Sequence, residues 1–184
     1  MTFRAQKGYA LWLSGLPGAG KTTVSRALQA LLDAHGVANV LLDGDEVRPI
    51  ICGHLGHSAA DRRQSLDMYI RLSKLMLQNK VVVILAIINH SAEQRAIAKA
   101  AHPNDQFAQV WIDTPLETCR ARDPKGLYEK ALSSSSPGNM VGVDIDYESA
   151  DDADVIIRTA EETPDQAAER IFAFLKQTVL VSSR

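Results

Sequence analysis

The residues with the most specific chemistry in this sequence lie in the run Leu11–Thr23. Within it, Gly15–Thr22 matches the phosphate-loop pattern G-x-x-x-x-G-K-[ST] at every fixed position, after an apolar run and before a helical one. Lys21 supplies a cation for the β- and γ-phosphates, and the Thr22 hydroxyl is positioned to ligate Mg²⁺. A glycine-rich turn that merely links a strand to a helix is the alternative, which the agreement of pattern and flanks disfavours. The sequence therefore predicts binding of ATP and Mg²⁺ by Gly15, Gly18, Ala19, Gly20, Lys21, Thr22 and Thr23.

Two aspartates, Asp43 and Asp45, follow the next predicted strand and are separated by one glycine. Ligands of open parallel sheets bind beyond the carboxyl ends of the strands, so both carboxylates are expected to face the ligand of the phosphate loop. Asp43 is predicted to hold Mg²⁺, directly or through water, and Asp45 to accept the proton of an attacking hydroxyl. An Asx-type turn between strand and helix is the alternative, and it would be preferred if the phosphate loop were absent.

Hydrophobic periodicity places these residues in alternating strands and helices. The strands are predicted at Tyr9–Leu13, Val40–Leu42, Lys80–Ile88, Phe107–Ile112 and Asp154–Arg158. Helices are predicted over Val24–Ala34, from Ser58 to Asn79, from Ser91 to Ala101, from Thr114 to Arg122 and from Thr163 to Val179, with an irregular loop at Ile50–His57. Lys80–Ile88 is continuously apolar, which is typical of a central parallel strand buried on both faces. The pattern predicts an α/β fold of class P-loop kinase, in which a five-stranded parallel sheet carries helices on both faces within one domain, residues 1–184.

The segment Asp123–Ala150 differs in composition from the rest of the chain. Asp123–Tyr128 precedes a Ser- and Gly-rich span, 133–142, and then a cluster of acidic residues. We interpret it as a mobile lid over the nucleotides, with Lys125, Arg120 and Arg122 near its phosphate end. A disordered surface insertion is the alternative, since long loops in compact domains are usually either functional or disordered.

The overall composition excludes several classes of protein. Of the 184 residues, 46% are apolar and 23% are charged, and the net charge is −2, so binding of long nucleic acids by a basic face is not expected. Neither of the two cysteines, Cys52 and Cys119, has metal-ligand spacing, which is typical of reduced structural thiols. No apolar run approaches the length of a membrane span and no signal core is present near the start. We therefore expect a cytoplasmic protein with a small-molecule partner, and no membrane or nucleic-acid partner.

The order of these motifs resembles that of the adenylylsulfate (APS) kinases. The resemblance extends from about Tyr9 to Arg158, and it depends on the phosphate loop, DGDEVR at 43–48, Asp61-Arg62 and DPKGLY at 123–128. It implies transfer of the γ-phosphate of ATP to the ribose 3′-hydroxyl of adenylylsulfate, in a homodimer. It further implies that Asp45 orients or deprotonates the acceptor, that Arg48 and Arg62 bind its anionic part, that the backbone at Ile88 contacts its base and that Lys125 acts from the lid.

The departures from this resemblance lie at the acceptor site. The family has a stacking aromatic where this sequence has His57, and a second one where it has Met140. An asparagine of the family is replaced by Ser65, the ISP segment reads Ile88-Asn89-His90, and an arginine pair becomes Asp67-Met68. Loss of two stacking contacts would weaken an adenine site by roughly 1–3 kcal/mol each, unless His57 and Met140 replace them. Asp43, Asp45, Arg48, His57, Arg62, Ser65, Ile88, Asn89, Lys125 and Met140 are the predicted acceptor contacts.

Three other functions remain open at this point. A kinase of another nucleotide-linked anion is one, because a branch similar to this family phosphorylates the 3′-hydroxyl of cytidine diphosphoramidate in capsule-sugar pathways. A non-catalytic nucleotide-binding partner is another, although intact Lys21, Thr22, Asp43, Asp45, Arg48 and Lys125 disfavour it. A phosphate-loop ATPase that acts on nucleic acid is disfavoured by the size and charge of the chain.

Overall fold

The computed structural model of the protein describes residues 2–133 and 138–182. Its strands are β1 (Phe3–Ala5), β2 (Tyr9–Ser14), β3 (Asn39–Asp43), β4 (Val82–Ala86), β5 (Phe107–Asp113), β6 (Val155–Arg158) and β7 (Leu180–Ser182). Its helices are α1 (Lys21–Ala34), α2 (Gly44–Ile51), α3 (Ala59–Leu77), α4 (Ala92–Ala101), α5 (Leu116–Arg122), α6 (Leu127–Leu132) and α7 (Pro164–Thr178). Residues 134–137 of the Ser- and Gly-rich span 133–142 lie outside the described residues.

Five strands form a parallel sheet in the order β3-β4-β2-β5-β6. This confirms the predicted fold class. β4 is an interior parallel strand, as expected from its apolar run, but β2 takes the middle position. Because β2 leads into the phosphate loop, the predicted nucleotide site lies at the centre of the carboxyl edge of the sheet.

Helices pack on both faces of this sheet, and the alternation of side chains along β2 shows how. Tyr9, Leu11 and Leu13 join a core with α1 and α7, whereas Ala10 and Trp12 join a second core with α3 and α4. Both cores exclude water, since the side chains of Leu11 and Trp12 are at most 1% exposed. At 25 cal/mol per Å² of apolar surface, such burial is the main stabilising contribution to the sheet.

Capping residues fix the start of two long helices as the sequence predicts. Ser58 accepts from the backbone of Asp61 while the Asp61 carboxylate accepts from the backbone of Ser58, a capping box at α3. Thr163 and Gln166 form the same arrangement at α7. The sequence predicts Thr114 as the N-cap of α5, and this is wrong. Pro115 takes that position, because the Thr114 hydroxyl is buried and donates to the carbonyl of Ala19 at 2.9 Å.

Four elements differ from or add to the predicted pattern. Residues 44–51 form α2, which was not predicted and which includes the first two residues of the predicted loop Ile50–His57; the Asp43 carboxylate caps its first turn. β1 and β7 pair antiparallel as a separate two-stranded sheet, which was not predicted because each has only three residues. α6 lies within the predicted lid. Across the described ranges, no helix has the length and apolarity needed to cross a membrane.

Candidate active site

The phosphate loop lies between the carboxyl end of β2 and the amino end of α1. Gly18 and Gly20 have φ angles of 75° and 103°, a left-handed conformation that side chains disfavour. A Cβ at Gly18 would lie 2.9 Å from the carbonyl oxygen of Cys119, and one at Gly15 would lie 2.7 Å from that of Ile112. The neighbouring backbone therefore accepts only glycine at Gly15 and Gly18, and the loop curves tightly around the space in front of α1, whose amino end favours an anion.

Lys21 folds back onto its own loop. Its Nζ donates to the carbonyl oxygens of Gly15 at 2.9 Å and of Leu16 at 2.8 Å. Loss of hydration lowers the pKa of Lys21 to about 8, and the opposing effect of Asp45 is smaller. A phosphate placed in the loop would supply the negative charge that this ammonium lacks.

Asp43 joins the loop to α2 through both of its carboxylate oxygens. Oδ2 accepts from the Thr22 hydroxyl at 2.5 Å, and Oδ1 accepts from the backbone N–H of Asp45 at 2.9 Å. Asp43 is thus both the turn-forming cap of α2 and a buried carboxylate at the phosphate loop. The Asx-type turn and the predicted metal-binding position, given above as alternatives, are therefore compatible. A hydroxyl and a carboxylate oxygen suit Mg²⁺, which usually takes one or two protein ligands together with substrate phosphates. Among the described residues no group of three or more His, Cys, Asp or Glu side chains could hold a metal.

Asp45 forms an ion pair with Lys125, which reaches it from the segment before α6. Both side chains are largely exposed, 67% for Asp45 and 52% for Lys125. Exposed pairs contribute little, typically below about 1 kcal/mol, so a phosphate or hydroxyl can readily replace either partner. The structure therefore brings the predicted base and the predicted lid lysine to the same point.

The side chains beyond Asp45 are mostly basic. Arg48 donates to the Ser65 hydroxyl at 3.2 Å and to the Gly56 carbonyl. Arg62 donates to the carbonyl of His57 at 3.1 Å and to that of Asn139 at 2.7 Å. Burial and then the nearby Arg48 lower the pKa of His57, so this positive end of the site disfavours a further cation and suits an anion.

The carboxyl end of β4 supplies another wall of the site. Asn89 has a left-handed backbone with φ of 42°. The Ile88 carbonyl, expected near the acceptor base, accepts from the backbone N–H of Gly15 at 3.3 Å and so ties this wall to the phosphate loop. The amide oxygen of Asn89 is buried without a hydrogen-bond partner among the described residues. Loss of hydration lowers the pKa of His90.

One cavity of about 900 Å³ unites these groups. Two predicted contacts, Gly15 and Ala19, lie in the loop itself, where Ala19 is fully buried and its carbonyl accepts from the Thr114 and Thr159 hydroxyls. The other predicted residues that line the cavity are Gly18, Gly20, Lys21, Thr22, Thr23, Asp43, Asp45, Arg48, His57, Arg62, Ser65, Ile88, Asn89 and Lys125.

Arg120 and Met140 take positions outside this lining. Arg120 donates to the Gly142 carbonyl at 3.2 Å, and Met140 packs against the core formed with α1 and α7. Arg122 lines the cavity instead and donates to the Thr159 hydroxyl at 3.0 Å. Sequence reasoning missed Thr159, although its place directly after β6 is the signal that identified Asp43. It also missed Tyr69 on α3, which resembles a core residue by its spacing.

Comparison with known proteins decides the family. The sequence profile of the adenylylsulphate kinases matches residues 7–158. The chain belongs to this family. An adenylyl-sulfate kinase of Pseudomonas aeruginosa is 36% identical over 94% of this chain and 88% of its own, and one of Yersinia pestis is 38% identical over 96% and 82%. The APS kinase CysC of Mycobacterium tuberculosis, solved in complex with AMPPNP and APS, superposes with a TM-score of 0.87 at 32% identity, over 92% of this chain and 98% of its own.

Family membership confirms the resemblance that the sequence motifs indicated. The adenylylsulfate kinase family is one of phosphotransferases that act on a hydroxyl acceptor, so this chain is classed among enzymes. The structure of the Mycobacterium tuberculosis relative contains an ATP analogue, in agreement with an ATP-type nucleotide at the phosphate loop of this fold.

Proposed function

We propose that this protein transfers the γ-phosphate of ATP to the ribose 3′-hydroxyl of adenylylsulfate. The observation that carries the proposal is that the phosphate loop, Asp45 and the arginine pair Arg48 and Arg62 line the same cavity. A nucleoside triphosphate would bind at one end and an anionic acceptor at the other, with the carboxylate between them. The relatives named adenylyl-sulfate kinase support the same substrate.

ATP would be held at the phosphate loop. The Lys21 ammonium would leave the carbonyls of Gly15 and Leu16 for the β- and γ-phosphates, and the backbone N–H groups at the start of α1 would contact the same oxygens. Thr22 and Asp43 would hold Mg²⁺, which, when bound, neutralises charge on the β- and γ-phosphate oxygens.

Asp45 would act on the acceptor. Its carboxylate accepts the proton of the 3′-hydroxyl while that oxygen forms a bond to the γ-phosphorus, the bond to the bridging β,γ-oxygen breaks, and ADP leaves. Lys125 neutralises Asp45 in the ion pair that the structure shows. Transfer of Lys125 to a phosphate oxygen would free the carboxylate, so we expect the base to be available chiefly when ATP is bound.

A different acceptor nucleotide is suggested by the residues expected to contact the acceptor base. Those at the end of β4, Ile88–His90, are called the base-binding wall. His57 and Asn89 line the cavity where the sequence departs from the family, and Met140 packs into the core rather than into the cavity. A remodelled base pocket would suit a pyrimidine, and cytidine diphosphoramidate is the candidate that the motif resemblance suggests.

An ADP-release assay with MgATP separates these acceptors. Adenylylsulfate and cytidine diphosphoramidate are offered in parallel with an acceptor-free control, and Lys21→Ala serves as the inactive variant. We expect turnover of roughly 1–100 per second with adenylylsulfate. Turnover with the cytidine compound alone would assign the second acceptor, and turnover by Lys21→Ala would contradict the assignment of the phosphate loop.

The family resemblance also suggests a homodimer that works in the cytoplasm as one domain with a lid at about residues 123–150. The two buried free thiols, Cys52 and Cys119, are compatible with a reducing compartment. Light scattering after size-exclusion chromatography tests the oligomer: a mass near twice 20.1 kDa supports the dimer, and a mass near 20.1 kDa contradicts it.

A further inference from the structure

Arg95 on α4 is an arginine buried among neutral groups. Only 4% of Arg95 is exposed to solvent. Its guanidinium donates to the carbonyl oxygens of Ser149 at 2.6 Å, His90 at 3.2 Å and Asn89 at 3.5 Å. It also lies 5.7 Å from the centre of the Tyr147 ring. Burial of a charge is costly unless its donors are satisfied, and the three carbonyl groups accept from the N–H donors of this guanidinium.

On one side Arg95 holds the loop at the end of β4. Asn89 has the left-handed backbone described above, a conformation that few residues with a side chain other than Asn and Asp adopt. The carbonyl of Asn89 accepts from Arg95, and that of His90 accepts from Arg95 and from the backbone N–H of Glu148 at 3.0 Å. The loop Ile88–His90 lines the cavity.

On the other side Arg95 holds the segment 147–149, at the end of the predicted lid. The Tyr147 hydroxyl donates to the Ser14 hydroxyl at 3.1 Å, at the start of the phosphate loop. The Glu148 carboxylate accepts from the backbone N–H of Ala92 at 2.6 Å, in the first turn of α4. A single guanidinium thus joins the loop at Asn89 and His90 to Ser149, which lies 54 residues after Arg95 in the chain.

We infer that Arg95 is a positioning residue for the acceptor, which fixes the backbone of Asn89 and His90 in the orientation that forms the base-binding wall. The inference rests on the proposed function, because it places the acceptor at this wall. Arg95 donates to no residue of the phosphate loop among its described contacts, and its loss is therefore expected to weaken acceptor binding more than ATP binding.

Steady-state kinetics of Arg95→Met tests this inference. The variant keeps the length of the side chain and removes the three donations. We expect the acceptor KM to rise about tenfold or more, because hydrogen bonds from charged groups are lost, while the ATP KM changes by less than about threefold. Arg71→Met is the matched control, since Arg71 lies on the surface of α3 in an ion pair with Asp67, and it should change neither constant.

Arg95→Lys provides a second variant in case the methionine variant does not fold. It keeps the charge but cannot reach all three carbonyls, so an intermediate rise in the acceptor KM is expected. An unchanged acceptor KM, or a parallel rise of both KM values with a lowered melting temperature, would overturn the inference in favour of a merely structural role.

Amide hydrogen exchange separates this inference from the proposed function. In Arg95→Met or Arg95→Lys, exchange should quicken at residues 88–92 and 147–150 and stay unchanged at residues 16–20; Gly15 is left out of the reference set because its N–H donates to the Ile88 carbonyl. If the wild-type protein does not turn over adenylylsulfate, the proposed function is wrong and the exchange pattern still tests the role of Arg95. Unchanged exchange at both segments would overturn it.

Discussion

Replacement of Lys21 by methionine is expected to stabilise the ligand-free protein while it abolishes turnover. The drop in the pKa of Lys21 from 10.5 to about 8 corresponds to at most about 3 kcal/mol of unfavourable free energy for the partly buried ammonium at neutral pH. The substitution also removes the two donations to Gly15 and Leu16, each worth about 0.5–1.5 kcal/mol. The balance predicts that Lys21→Met is more stable by up to about 2 kcal/mol, or up to about 8 °C in melting temperature.

The stability difference between Lys21→Met and the wild type is expected to depend on pH. A base whose folded-state pKa is lowered carries its full cost below pH 8, where both the folded and the unfolded states are protonated. As the pH rises from 8 to 10.5 the folded protein loses the proton first, so the cost disappears and wild-type stability gains on the variant. Burial raises the pKa of each of the four tyrosines in both proteins alike, so their effect on stability cancels in the difference.

Urea unfolding of both proteins without nucleotide, at intervals from pH 7 to 10.5, measures this difference. Lys99→Met is the control, because Lys99 is exposed on α4 and its replacement should change the free energy of unfolding by no more than about 0.5 kcal/mol. A Lys21→Met variant that is less stable at pH 7, or a difference that does not change with pH, would refute the reasoning that the ammonium is strained by lost hydration.

Three further predictions follow from the same geometry. Asp45→Asn should lower kcat about 100-fold or more, because general-base groups contribute about 10² to 10⁴ to the rate, and should change ATP affinity by no more than about threefold. Steady-state kinetics measures both, and equal losses in kcat and ATP affinity would show that another residue is the base. Gly18→Ala should cost more stability than Gly36→Ala in thermal unfolding, because both need a left-handed backbone but only Gly18 would place a Cβ 2.9 Å from a carbonyl oxygen; equal costs would show that the loop relaxes. Burial lowers the pKa of His102, whose ring nitrogen lies 2.8 Å from the Ser73 hydroxyl, so the free energy of unfolding should fall as the pH drops below about 6.5. His102→Gln should reduce that fall without removing it, since the pKa values of His57 and His90 are also lowered; an unchanged slope would contradict it.

The catalytic half of the site was predictable because its signals are local. The phosphate loop follows from glycine and lysine at fixed spacing, and Asp43 and Asp45 follow from their place after a strand. The contact between Asp43 and Thr22 confirms that strand ends converge on the loop. The five-stranded sheet was predictable for a similar reason, since apolar runs mark its strands.

The remainder depends on contacts between distant parts of the chain. No local pattern places Arg95 against Ser149, and by sequence alone Arg95 is an ordinary charge on a helix. The helix α2 was missed because Gly44 and Pro49 both disfavour a helix interior, and the cap by Asp43 together with packing against the sheet edge overrides that preference. The roles of Arg120 and Met140 remain predictions, since the structure turns both side chains to other partners in the ligand-free state.

The most direct test of the central claim is a comparison of adenylylsulfate with its 3′-deoxy analogue under saturating MgATP. The analogue keeps the base and the anionic group and lacks only the hydroxyl that is proposed to attack the γ-phosphate. We predict that ADP release with the analogue falls to the acceptor-free rate, while adenylylsulfate yields ADP and the 3′-phosphorylated product in equal amounts. ADP release at the same rate with both compounds would contradict transfer to the 3′-hydroxyl.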